Sequence, residues 1–108
     1  MEPRVELTYL LDFYGALLTD ARREALRLYL EEDLSLAEIA EQMGVSRQAV
    51  LDSVKRSREK LEEYEEKLGA VKRHRAITSE AERSLEALDR SDAGAVRRSL
   101  ENILRIER

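Results

Sequence analysis

This sequence predicts an all-α fold, a bundle of about six helices, on three observations. Apolar residues recur at spacings of three and four along most of the chain, the period of a helix with one buried face. Helix breakers are sparse, with 4 glycines and 1 proline in 108 residues. Aromatic residues make up only 5% of a chain that is 39% charged and 43% hydrophobic, which leaves too few strand and turn residues for a β-sandwich.

The first helix is expected from about Val5 to Leu18, with Leu7, Leu10, Leu11, Tyr14, Leu17 and Leu18 on one wide apolar face. Thr19 or Asp20 caps the next helix, because a side-chain oxygen there satisfies an orphan amide. Its buried side is marked by Leu18, Ala21, Ala25, Leu28 and Tyr29, and Glu31, Glu32 and Asp33 end it. Ser35 followed by Glu38 reads as a capping box. It opens a short helix with Leu36, Ile39, Ala40 and Met43 inward, which Gly44 stops by taking a positive φ. Val45 plugs the turn and Ser46 caps the following helix.

That helix carries Val50, Val54, Leu61, Tyr64, Leu68 and Val71 in a heptad rhythm broken at Ser57, so it is expected to be unusually long. Either the first helix or a second copy of the chain must cover this stripe, and two or three heptads favour the first helix. Gly69 and the run Lys72, Arg73, His74 and Arg75 suggest its end. Thr78 or Ser79 then caps a helix with Ala81, Leu85 and Leu88 as apolar positions, and Ser79 with Glu82 is a second candidate capping box. After Ser91 and Asp92 a last helix carries Val96, Leu100, Ile103 and Leu104. The expected division is a first domain over 1–75 and a C-terminal helical hairpin over 76–108.

Composition also excludes functions. With no cysteine there is no disulfide and no thiolate metal site, and one histidine, His74, excludes a multi-histidine site. His74 itself, among cations and without a catalytic partner, reads as a surface residue. No glycine-rich phosphate loop, nucleophile motif or paired-carboxylate motif is present, so the expectation is no enzyme, no metal and no cofactor. No run of about 18 apolar residues exists to span a membrane, and MEPRVEL lacks a signal-peptide apolar region. The expected location is the cytoplasm.

Net charge is −4, unusual for a protein that binds DNA by itself, since phosphate neutralisation supplies most non-specific affinity. The distribution is uneven. Residues 1–45 carry 4 basic and 10 acidic groups, whereas 46–60 carry 5 basic and 2 acidic. Residues 61–67 return to −3 and 68–108 stand at +2. One stretch is locally positive.

That stretch follows SLAEIAEQMGVSRQAVLDSV at 35–54, which has the spacing of a helix-turn-helix. Ala40 is the small residue where two helices touch, Gly44 makes the turn, and Met43, Val45 and Val50 plug it. Ser46, Arg47, Gln48, Asp52, Lys55 and Arg56 would occupy the start and outer face of the recognition helix. Arginine and glutamine can each make paired hydrogen bonds to base edges in the major groove. Lys55, Arg56 and Arg58, with Arg22 or Arg23, would be phosphate contacts. The same residues also read as a solvated helix face on which Ser46 is merely a cap. Asp52 puts a carboxylate where a duplex would approach, Leu51 is apolar there, and four glutamates follow at 62–66. Binding RNA through the same basic stretch is as consistent with the residues as binding DNA. Phe13, Tyr14 and Tyr29 are expected in the core.

The segment from LTDARREALRLYL through the helix-turn-helix to KRSREKL resembles region 4 of bacterial sigma factors. More narrowly, LLDFYGALLT at 10–19, DLSLAEIAEQMGVSRQAV at 33–50 and LEEYEEKL at 61–68 resemble the YlxM family, small bacterial helix-turn-helix proteins linked to the signal recognition particle pathway. The resemblance covers about residues 5–75, and from Ile77 onward the reading rests on helical periodicity alone. It implies a helix-turn-helix bundle of the sigma region 4 type with a long recognition helix and two extra C-terminal helices. It also implies an accessory or regulatory role toward the particle, contacting its GTPase or its RNA. The competing expectation is a regulator that reads duplex DNA; a third is a scaffold for protein contacts alone, and a homodimer through the appended helices is open.

Overall fold

A computed structural model describes residues 3–107. Six α-helices and one short 3-10 turn account for nearly all of them, with no strand among the described residues. They are α1 (Pro3–Tyr14), the 3-10 turn Gly15–Leu17, α2 (Asp20–Leu30), α3 (Leu36–Met43), α4 (Arg47–Leu68), α5 (Ala70–Asp89) and α6 (Ala93–Glu107). They form two compact units, residues 1–68 and 69–108. The division falls seven residues ahead of the one read from the sequence. Its physical cause is Gly69, whose φ of 62° ends the helical path after Leu68.

In the first unit α4 is the spine. Leu61 and Val50 are buried on it, and Leu7, Leu10, Leu11 and Tyr14 are buried on α1, which packs against it. The heptad stripe is thus covered from within the unit as far as Tyr64; Leu68 is exposed, and Val71, expected on the same helix, lies on α5 beyond the turn at Gly69. Tyr14 and Tyr64 bring their rings to 6.1 Å, and the Tyr14 hydroxyl donates to Glu65 Oε1 at 2.5 Å. At the other end of α1, Arg4 donates to Tyr29 O at 2.7 Å, pairs with Asp33 at 2.9 Å and lies over the Tyr29 ring. A second cluster joins Ala25, Leu28, Ile39, Ala40 and Val50, which holds α2, α3 and the start of α4 together.

Five apolar positions of the first unit depart from expectation. Phe13, Leu17, Val45 and Leu68 are exposed, at 40%, 57%, 46% and 53%, and Ala21 also faces solvent. Phe13 lies inside α1 but about 100° round from Tyr14, off the face of Leu7, Leu10, Leu11 and Tyr14, and Leu17 falls in the 3-10 turn, where the apolar face stops being continuous. Val45 leaves the core because the turn is closed by backbone: its N–H donates to Ala40 O at 3.1 Å.

Ser57 is fully buried on α4, and its Oγ has no hydrogen-bond partner. A buried hydroxyl left unpaired costs free energy that a methyl group would not. Ser57→Ala is therefore expected to stabilise the unit by about 1 kcal/mol. The check is a urea titration in which the midpoint rises while the slope stays unchanged.

In the second unit α5 and α6 form an antiparallel hairpin. The structure corrects the expected break before it: α5 is continuous from Ala70 to Asp89, so Thr78 and Ser79 lie inside a helix and cap nothing. Exposed hydroxyl residues are tolerated there, because neither side chain competes for a backbone group that the helix already satisfies. The turn before α6 is capped instead by Asp92, whose Oδ1 accepts from the Ala95 N–H at 3.0 Å.

Candidate nucleic-acid interface

The recognition element forms as the residues dictate. Ser35 caps α3 with a complete capping box: Ser35 Oγ accepts from the Glu38 N–H and Glu38 Oε1 accepts from the Ser35 N–H, both at 3.1 Å. Gly44 closes α3 at φ 67°, a left-handed geometry that strains other residues. Ser46 Oγ then accepts from the Ala49 N–H at 3.0 Å and starts α4. Ala40, 8% exposed, is the close contact between the two helices.

The Glu38 carboxyl sits below the usual carboxylate range, because the Ser35 backbone N–H and then the Ser35 hydroxyl bond its charged form, against a small opposing effect of burial. A carboxyl with a depressed folded-state value stabilises fully above the unfolded value of about 4.3, and that contribution is lost as pH falls through the folded value. Glu38→Gln is expected to lose this acid-side slope while stability near neutral pH falls slightly. Thermal midpoints collected from pH 7 down to pH 3 check it.

From the cap onward α4 presents its outer face. Arg47, Gln48, Leu51, Asp52, Lys55, Arg56 and Arg58 are all exposed. A helix turns 100° per residue, so Arg47, Leu51, Lys55 and Arg58 fall along one flank. Gln48, Asp52 and Glu59 form the outermost line, and Arg56 lies on the opposite flank. The structure thus brings three of the predicted cations together and separates the fourth. Gln48 Nε2 donates to Asp52 Oδ1 at 3.1 Å, so these two polar residues of the outermost line are engaged with each other. Among the described residues Arg47, Lys55 and Arg56 form no ion pair, and Arg58 has only a long one to Glu62 at 3.9 Å.

Leu51 is the unexpected centre of this flank. On one side it lines a shallow cavity of about 420 Å³ with Leu36, Arg47 and Gln48. On the other it lines one of about 340 Å³ with Leu7, Tyr29, Val54, Lys55 and Arg58. Leu36, Leu7 and Tyr29 were not predicted to reach the interface. The i, i+4 spacing of Arg47, Leu51 and Lys55 was the available signal for the flank of α4 itself, whereas nothing local pointed to Leu36, Leu7 or Tyr29. Arg22 and Arg23 stand in the first turn of α2, whose cap is Thr19: Thr19 Oγ1 accepts from the Arg22 N–H at 3.3 Å. Neither arginine lines the two cavities.

His74 is exposed, and among the described residues no three His, Asp or Glu side chains are grouped to hold a metal ion. No helix among the described residues is long and apolar enough to cross a membrane.

A short capped helix, a glycine turn and a second helix with an exposed polar face define a helix-turn-helix protein. The sequence pattern described as "Putative helix-turn-helix protein, YlxM / p13 like" matches residues 1–93, and the chain belongs to this UPF0122 family. A UPF0122 protein of Symbiobacterium thermophilum is 49% identical over 94 residues, which cover 87% of this chain and 88% of the relative. One from Caldanaerobacter subterraneus subsp. tengcongensis is 49% identical over 82 residues, 76% of this chain and 70% of the relative. A third, from Geobacillus kaustophilus, is 50% identical over 74 residues, covering 68% and 67%. The family match runs past Ile77 to the end of α5, so that helix has relatives that helical periodicity alone did not reveal.

Proposed function

We propose that this chain is a non-enzymatic accessory protein of the bacterial signal recognition particle pathway, acting in the cytoplasm through the outer flank of α4. The observation that carries the reading is the composition of that flank: Arg47, Lys55 and Arg58 surround the exposed Leu51. Cations suit the phosphates of the particle's RNA, and Leu51 with its two shallow cavities suits an apolar group inserted between them. The link to the particle itself comes from the resemblance to YlxM.

A second reading, a regulator that reads duplex DNA in the manner of sigma region 4, is supported by Arg47 and Gln48 in the first turn of the recognition helix. Three features weigh against it. Asp52 and Glu59 occupy the line nearest a docked duplex, Gln48 is already bonded to Asp52, and residues 1–45 carry a net −6. Capture of the tagged chain from a native bacterial lysate tests the first reading. The particle's GTPase or its RNA is expected among the captured components. Their absence, with chromosomal DNA captured instead, favours the second reading.

A further inference from the structure

Of the two cavities beside Leu51, the one toward α1 and α2 is more than an apolar hollow. Buried Leu7 and half-buried Val54 form its deeper part, and Tyr29 of α2 is the one aromatic residue that lines it. Exposed Lys55 and Arg58, on neighbouring turns of α4, stand at its mouth beside Leu51. Among the described residues no carboxylate lines it. Its volume of about 340 Å³ is at the small end of clefts that hold an organic group, roughly 300–1,000 Å³. One planar heterocycle fits such a space, and a duplex does not.

Tyr29 is held in place without its hydroxyl. Arg4 lies over the ring at 5.1 Å, donates to the Tyr29 carbonyl at 2.7 Å and is itself anchored by Asp33 at 2.9 Å. The Tyr29 hydroxyl bonds to no described residue. Lys55 has no ion-pair partner among the described residues, and Arg58 has only Glu62 at 3.9 Å. A ring of preset orientation, apolar neighbours and two cations at the mouth together match an unpaired nucleotide, which brings a flat base to the ring and phosphates to the cations. An apolar protein side chain would fill the same space but offer nothing to the hydroxyl or the cations.

We infer that this cavity is a base pocket. It takes one unpaired nucleotide of a single-stranded RNA segment, with the base against Tyr29 and the flanking phosphates on Lys55 and Arg58. The inference rests on the RNA reading proposed above and adds a demand to it: the chain selects unpaired RNA over paired RNA. The selection follows from the depth of the pocket, since a base inside a stem cannot leave its stack to reach Tyr29 without the cost of unpairing.

Two labelled RNAs with one stem sequence test this, one closed by a single-stranded uridine-rich loop and one fully paired. The full chain is expected to bind the looped RNA about tenfold more tightly or better. Tyr29→Leu keeps an apolar group but removes the ring, so it should weaken looped-RNA binding about tenfold and leave paired-RNA binding unchanged. Its salt slope should stay that of the wild type, because no phosphate contact is lost. Tyr29→Phe keeps the ring and should recover most of the affinity. The wild type answers independently of any variant: 5-iodouridine in the loop should crosslink to Tyr29 on irradiation. Equal binding of the two RNAs, or crosslinks that avoid Tyr29, overturns the base pocket and leaves the RNA reading standing. Binding of neither RNA overturns the RNA reading and the pocket with it. A Tyr29→Leu chain that binds looped RNA like the wild type but no longer captures the particle's GTPase from lysate gives the cavity to a protein, and also overturns the inference.

Discussion

Ile39→Ala is expected to lower the stability of the first unit by about 2–5 kcal/mol. Ile39 is fully buried and sits between Ala25 and Leu28 of α2 and Val50 of α4, so its loss opens a cavity at the joint of three helices. Neither neighbour can close it. Ala25 and Ala40 are already small, and α3 is held at both ends by its capping box and by Gly44. Small domains have only about 5–15 kcal/mol in all, and a unit of 68 residues belongs toward the lower end. The variant should therefore populate unfolded forms near ambient temperature. Val45→Ala, two residues past the end of α3 but 46% exposed, is expected to change stability by less than about 1 kcal/mol. Paired urea titrations of the two variants measure the contrast, which comes from packing and not from proximity to the motif.

The second large effect concerns binding. Lys55→Glu/Arg56→Glu/Arg58→Glu is expected to weaken nucleic-acid binding about 100-fold or more at low salt. Each phosphate neutralised contributes about 0.7–0.9 to the slope of log affinity against log salt, so removing three contacts should flatten that slope by about two. Folding should survive, because all three side chains are exposed and only Arg58 has an ion-pair partner, at 3.9 Å. The single variants separate the flanks. Lys55 and Arg58 share the face with Leu51, whereas Arg56 is turned away from it, so Arg56→Glu should cost less than either of the others. Equal losses at all three positions would mean that long-range charge, and not the Leu51 flank, governs binding.

The helix-turn-helix was legible because its signals are local. Ser35 with Glu38, Gly44 and Ser46 each satisfy backbone groups within a few residues of themselves, so their spacing alone states the geometry. Thr78 and Ser79 carry the same chemical signal but are spectators on α5, where the decisive residue was Gly69 with its positive φ. Burial was less legible than helicity. Phe13, Leu17, Val45 and, on the hairpin, Leu85, Leu88, Leu100 and Leu104 fit helical periods and yet face outward, because periodicity says that residues share a face and not what covers it. The cations of the candidate site were likewise readable, and helical spacing alone puts Arg47, Lys55 and Arg58 on one flank with Leu51. That Leu7, Leu36 and Tyr29 reach this flank from three other helices was not readable, because it depends on the packing of α1, α2 and α3. The arginine that ties α1 to the end of α2, Arg4, has partners 25 and 29 residues away and left no local trace.

Under the proposed function this helix-turn-helix serves a ribonucleoprotein assembly and does not read duplex DNA by itself. Titrating the purified chain against the particle's RNA and against a labelled duplex, each at two salt concentrations, tests it most directly. Binding to the RNA is expected to weaken as salt rises, with duplex binding at least tenfold weaker under the same conditions. Tight, sequence-selective binding to the duplex, with the RNA ignored, would contradict it.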